Sequence, residues 1–231
     1  MLVVIVIIAI LISLLMPSLS RAKEKARRVA CASQLGQQIK GLITYSVNNK
    51  SRFLPGYRYN GSPTHRNDDE PWVMALETYE MYKDQYLGGS EKLFTCVNIK
   101  NMPMLHRTSE MLLGYNYNAD KPGINAKRGT KFPEGLIHSA EAQTVPVFSD
   151  LNNWTSAWKR TMVAHTKSGG YIKANWYDNT NGGWSAIEGG SQGGNYAYIN
   201  GSVGWKGLDE LETFYVFPWG EGLDPLPYDV W

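Results

Sequence analysis

The chain has 231 residues, 43% of them hydrophobic and 12% aromatic, with a mean hydropathy of -0.34. That suffices for one medium globular domain with an appendage, and it excludes a disordered chain. A formal net charge of +2 excludes bulk nucleic-acid binding, and two cysteines exclude a cysteine-rich miniprotein scaffold.

The averages conceal a polarised chain. Residues 1–16, MLVVIVIIAILISLLM, carry no charge. The next segment is a basic neck holding Arg21, Lys23, Lys25, Arg27 and Arg28 against one acid, Glu24. The last 25 residues hold six acids (Asp209, Glu210, Glu212, Glu221, Asp224 and Asp229) and no Lys or Arg. At about 1.5 Å per residue the apolar run reaches roughly 24 Å, short of the hydrocarbon core of a bilayer. No basic residue precedes it, and it passes through Pro17 into a helical, charged stretch, which argues against a cleaved signal peptide.

Residues 18–48 are rich in Ala, Lys, Arg, Glu, Gln and Leu and continue the helix. Cys31, Leu35, Ile39, Leu42 and Ser46 fall on one face, within about 80° of arc. The helix stops near Asn48-Asn49, and Pro17 inside it is expected to kink it or melt a turn. Residues 51–231 form the globular part. Pro71–Leu87 reads as a helix closed by Gly88-Gly89. Strands are expected at Lys92–Cys96, Leu112–Tyr117, Thr144–Phe148, Thr161–His165, Tyr196–Ile199 and Ser202–Lys206, with a mobile glycine-rich loop over Asp178–Gly194. The fold class is α+β: a long N-terminal helix, hydrophobic then amphipathic, packed on a small antiparallel-sheet domain. The division is residues 1–50 for the helix and 51–231 for the head.

The segments LVVIVIIAILISLLMPSLSRAKEKAR and CASQLGQQIKGLITYSVNN resemble the N-terminal helix of type IV pilins and type II secretion pseudopilins. Pro17 falls on that family's helix proline, which sets Met1 just after the family's glutamate. The family's methylated residue, glutamate and leader therefore have no counterpart, and the expectation is a gene start placed at an internal Met. PWVMALETYEMY, KLFTC, LLGYNYNAD, QTVPVFSD and GGNYAYINGSVGWK resemble elements of the prepilin-like subgroup typical of planctomycetes and verrucomicrobia. That subgroup closes with a histidine, nine residues and Asp-Gly. Here Gly190 and Asn200-Gly201 stand there, so the motif is degenerate while a tight Asn-Gly hairpin turn is retained.

The resemblance implies a pilin-like structural subunit of an extracellular or periplasmic filament, and not an enzyme. Leu2, Val3, Val4, Ile5, Ile7, Ile8, Ile10, Leu11, Leu14 and Leu15 would form the assembly core. The partners implied are copies of itself in a helical filament, the inner membrane before assembly, and the pilus or secretion machinery. Nucleic acid is not among them. The neck cations then require acids, from Glu24 and from neighbouring subunits' tails. The alternative is a membrane-anchored periplasmic or surface module that binds polysaccharide through Trp154, Trp158, Trp176 and Trp184.

Two cysteines in an exported domain, Cys31 and Cys96, read as a disulfide, with two buried free thiols as the other reading. GGSQG at 189–193 fits Gly-x-Ser-x-Gly around Ser191, but it lacks the strand before and helix after that a nucleophile elbow needs. His65, His106, His138 and His165 show no zinc-ligand spacing, and His165 is expected to hydrogen-bond Asp150 across strand ends. The acidic tail lacks the dense oxygen ligands of a calcium loop. No cofactor and no metal are expected.

Overall fold

Residues Leu2–Asn48 form one helix, α1, in the computed structural model, which describes residues 2–55, 73–99, 104–106, 110–119, 124–126, 137–138, 145–155, 160–173, 189–210, 214–216 and 228–230. The helix stops where the sequence runs out of formers. Lys50 and Ser51 take left-handed backbone angles, φ 56° and 58°, and Ser51 N–H returns to Ser46 O at 2.8 Å. Asn49 Nδ2 satisfies the Tyr45 carbonyl at 2.8 Å. Pro17 lies inside α1 and no turn is melted around it. Ser13 and Ser18 fold their hydroxyls back onto the Ile10 and Leu15 carbonyls, and Arg21 Nε donates to Pro17 O.

The head follows in chain order: β1 (Val73–Ala75), α2 (Leu76–Tyr86), a 3₁₀ turn (Glu91–Phe94), β2 (Met104–His106), β3 (Glu110–Leu112), β4 (Tyr115–Tyr117), β5 (Ile124–Ala126), β6 (Phe148–Asp150), β7 (Asn152–Thr155), β8 (Arg160–Thr166), β9 (Gly169–Lys173), β10 (Gly193–Ala197), β11 (Val203–Gly207), a second 3₁₀ turn (Leu208–Glu210), β12 (Phe214–Val216) and β13 (Tyr228–Val230). Among the described residues these strands form three antiparallel sheets, ordered β1-β3-β2, β11-β10-β6-β4 and β5-β12-β13-β7-β8-β9. Long helix plus small antiparallel sheets is the expected α+β class.

The C-terminal half of α1 lies across β10, β11 and β6 and against α2. Its stripe is buried as the spacing predicts: Cys31, Leu35, Ile39 and Leu42 are fully covered, joined by Tyr45 and Ser46. Phe94, Tyr82, Tyr115, Tyr117, Phe148 and Leu54 complete the same core. Polar pins fix the register. Gln38 Nε2 donates to Leu93 O at 2.7 Å, Gln34 Nε2 to Lys92 O at 2.7 Å, and Tyr115 OH to Gln34 Oε1 at 2.5 Å. Gly41 sets the approach to α2, because a Cβ there would meet Leu87 Cδ2 at 2.6 Å.

Several boundaries differ from expectation. The Pro71–Leu87 helix begins at Leu76, because Val73–Ala75 is drawn into pairing with β3. Lys92–Cys96 is a 3₁₀ turn running into a bend, not a strand. Leu112–Tyr117 is two strands, broken where Gly114 packs against Phe94 O with no room for a side chain. The strand expected at Thr144–Phe148 lies instead at Phe148–Asp150. Asn200-Gly201 does not make a two-residue turn. Gly201 alone is left-handed (φ 88°), with Gly201 N–H on Tyr198 O and Tyr198 N–H on Ser202 O, a three-residue loop with its bulge at glycine. The Asp178–Gly194 loop lies largely outside the described residues.

Candidate functional site

Where α1 enters the head, four elements converge on one buried cluster. Glu24 and Cys31 sit seven residues apart, two turns, on the docked face of α1. Cys96 follows the first 3₁₀ turn, Asp150 ends β6, and His165 lies near the end of β8. The β8–β9 register shifts between Val163 and Thr166, and this bulge brackets His165. Cys31, Cys96, Asp150 and His165 are all 0% exposed and Glu24 is 5% exposed.

The distances describe a continuous polar network. Cys31 Sγ and Cys96 Sγ are 2.8 Å apart, and Cys96 Sγ lies 3.8 Å from His165 Nε2. His165 Nε2 lies 3.1 Å from Asp150 Oδ2, and His165 Nδ1 lies 2.7 Å from Glu24 Oε1. Asn98 Nδ2 donates to both Glu24 oxygens, at 3.1 and 3.0 Å. Asp150 Oδ2 accepts Asn195 N–H at 2.6 Å and Asn195 Nδ2 at 2.8 Å, while Asp150 Oδ1 is buried with no hydrogen-bond partner. Trp205 closes the side, edge-on to His165 at 5.4 Å, with the Arg28 guanidinium 4.0 Å over its ring.

The electrostatics follow from this arrangement. Cys96 as hydrogen-bond partner, aided by His165 and opposed by burial, brings the Cys31 thiol down to about 6. Burial pushes the Cys96 thiol well up. Burial disfavours the charged imidazole of His165, but the hydrogen bonds to Asp150 and Cys31 outweigh it and push the ring up to about 10. A thiolate, an imidazolium and a carboxylate in line are the groups of cysteine nucleophiles. Here both sulfurs are sealed from solvent.

The expected Cys31–Cys96 pair is therefore brought together but stands as two free thiols, farther apart than the roughly 2.05 Å of a disulfide. The physical reason is the company they keep: His165 favours a thiolate on Cys31, against the opposing charge of the nearby Asp150 carboxylate. His165 meets Asp150, as their positions at strand ends predict. Ser191 serves the fold: its hydroxyl donates to Asn152 Oδ1 at 2.9 Å and receives Gly193 N–H at 3.2 Å. Ligand spacing missed the cluster because positions 31, 96, 150 and 165 share no short sequence interval.

The neck is only partly free. Arg27 and Arg28 reach Glu24 at 3.8 and 3.6 Å, and Arg28 Nη2 also donates to Gln192 Oε1. Arg21, Lys25 and Arg28 line a cleft of about 660 Å³ with Glu24 and Lys167. Of the acidic tail, Glu210 Oε2 receives its own Gly207 N–H at 2.8 Å, and residues 211–213, 217–227 and 231 lie outside the described residues. Trp158, Trp176 and Trp184 and His65 also lie outside them, as do the side chains of Trp154 and His106. The chain matches no protein-family model, no curated protein and no solved structure.

Proposed function

We propose that the chain is a pilin or pseudopilin, a structural subunit that polymerises through α1 into a type IV pilus-like filament outside or within the periplasm. One observation carries this reading. From Leu2 to Leu19, fourteen large apolar side chains of α1 are 48 to 81% exposed, while the same helix is docked from Cys31 onward. Covering fourteen such residues is worth on the order of 20 kcal/mol, so the bare half demands lipid or other apolar helices.

The helix is long and apolar enough to cross a membrane, with a window of mean hydropathy 3.0 that none of the described residues of the head covers. A spanning helix needs only to be apolar over its bilayer length. A filament subunit needs in addition a rigid transmission from helix to head, and the Gln34, Gln38 and Tyr115 pins supply one. The test is site-specific photo-cross-linking in the native cell from Leu11 and Leu14, with exposed Lys40 as control. The reading predicts a ladder of multimers from the apolar positions. Cross-links to lipid alone, with no multimers, would leave a membrane-anchored binding module.

A further inference from the structure

We propose that Cys31, Cys96, Asp150 and His165 form a structural zinc site that clamps α1 to the head. The inference is independent of the filament reading. One donor atom from each of the four residues lies within 4.8 Å of all the others, and every residue of the set is buried. Two thiolates, an imidazole and a carboxylate are the donor set of a closed tetrahedral zinc centre, with no position left for water or substrate. The sulfurs exclude calcium and magnesium, which take oxygen ligands.

Tetrahedral zinc, at about 2.3 Å from sulfur and about 2.0 Å from nitrogen and oxygen, spaces its ligands about 3.3–3.8 Å apart. His165 Nε2 stands 3.1 Å from Asp150 Oδ2 and 3.8 Å from Cys96 Sγ, already close to such edges. The two sulfurs, at 2.8 Å, would part by about 1 Å to admit the ion.

The surroundings match the same use. A ligating histidine gives its far nitrogen to a carboxylate, which fixes the ring and its tautomer. Glu24 Oε1 occupies that place on His165 Nδ1 at 2.7 Å, itself held by Asn98 and Arg28. Asp150 Oδ2, the oxygen beside His165 Nε2, is oriented by Asn195, and the buried Oδ1 has no hydrogen-bond partner. Cys31 and Glu24 both come from α1, whereas the other three ligands come from separate parts of the head. The ion would therefore tie the helix to three pieces of the domain at once.

The experiment is metal analysis of the full chain, purified from its native membrane or filament fraction in detergent without chelator and without added metal. If native material is metal-poor, it is followed by reduction and titration with Zn²⁺ and Co²⁺. The proposal predicts one zinc per chain, X-ray absorption showing two sulfurs at about 2.3 Å and two lighter ligands at about 2.0 Å, and thiolate-to-cobalt charge-transfer bands after substitution. Glu24→Gln keeps all four ligands and weakens zinc 10–100-fold against a competing chelator; Cys96→Ser abolishes the cobalt bands. A Cys31–Cys96 linked peptide from metal-free native protein would overturn the proposal. So would two freely alkylated thiols that bind no zinc on titration.

Discussion

Glu24 is the residue on which the neck and the head both depend. It is an acid inside a basic segment, yet it is buried and bonds His165, Asn98, Arg27 and Arg28. Charge reversal at Arg27 and Arg28 would thus break an intrachain cluster before it reported on any neighbour. If the proposed filament forms, the residues that isolate contacts between its subunits are Arg21 and Lys25, both exposed along the cleft. We expect Arg21→Glu with Lys25→Glu to leave head stability within about 0.5 kcal/mol while reducing filament yield, measured by unfolding in detergent and by sheared-fraction blotting. A second residue-scale test is Gly170→Ala. Its Cβ would fall well inside van der Waals contact with Asn98 O, on the turn that holds Glu24. We expect a loss of about 1–3 kcal/mol in denaturant unfolding, and an unchanged midpoint would contradict this packing.

At the scale of elements, α1 is two helices in one. Ile39→Ala, at a fully buried position, should cost about 2–5 kcal/mol. Leu14→Ala, 69% exposed, should leave the unfolding midpoint of the head unchanged and act on assembly alone. Equal effects of the two on stability would show that the halves are not divided as described. Pro17 leaves the Ser13 carbonyl without its usual donor, so Pro17→Ala should slow amide exchange around residues 13–21, read by mass spectrometry in detergent. The stripe Cys31, Leu35, Ile39, Leu42 and Ser46 and the stop at Asn48 were legible in sequence because helical period and capping are local. The head's boundaries were less so. Val73–Ala75 is a strand through its pairing with β3, and Lys92–Cys96 turns because Gly114 and α1 pack around it. The meeting of Cys31 with Cys96 was inferred from their number and expected compartment. Their meeting with Asp150 and His165 depends on two sheets, a 3₁₀ turn and a helix converging, and no local pattern encodes that.

Across the whole molecule, one end of α1 is bare and the other is built into a head, and the two ends pose different problems. The docked end is held by buried side chains, polar pins and the sulfur–histidine–carboxylate cluster. Among the described residues nothing covers the bare end, and the filament reading proposed above gives it lipid or other copies of α1 as its partner. The basic neck lies between them, with Arg27 and Arg28 neutralised from within and Arg21 and Lys25 directed to the outside. The central claim is that α1 helices of many copies pack together while heads pave the surface. Electron cryomicroscopy of filaments sheared from native cells tests it most directly. The account predicts a helical assembly in which residues 2–19 line the axis and each head hangs from its own helix through the Cys31–Asp150–His165 junction. Chains found only as single membrane-embedded copies, or filaments with this segment on the outer surface, would contradict it.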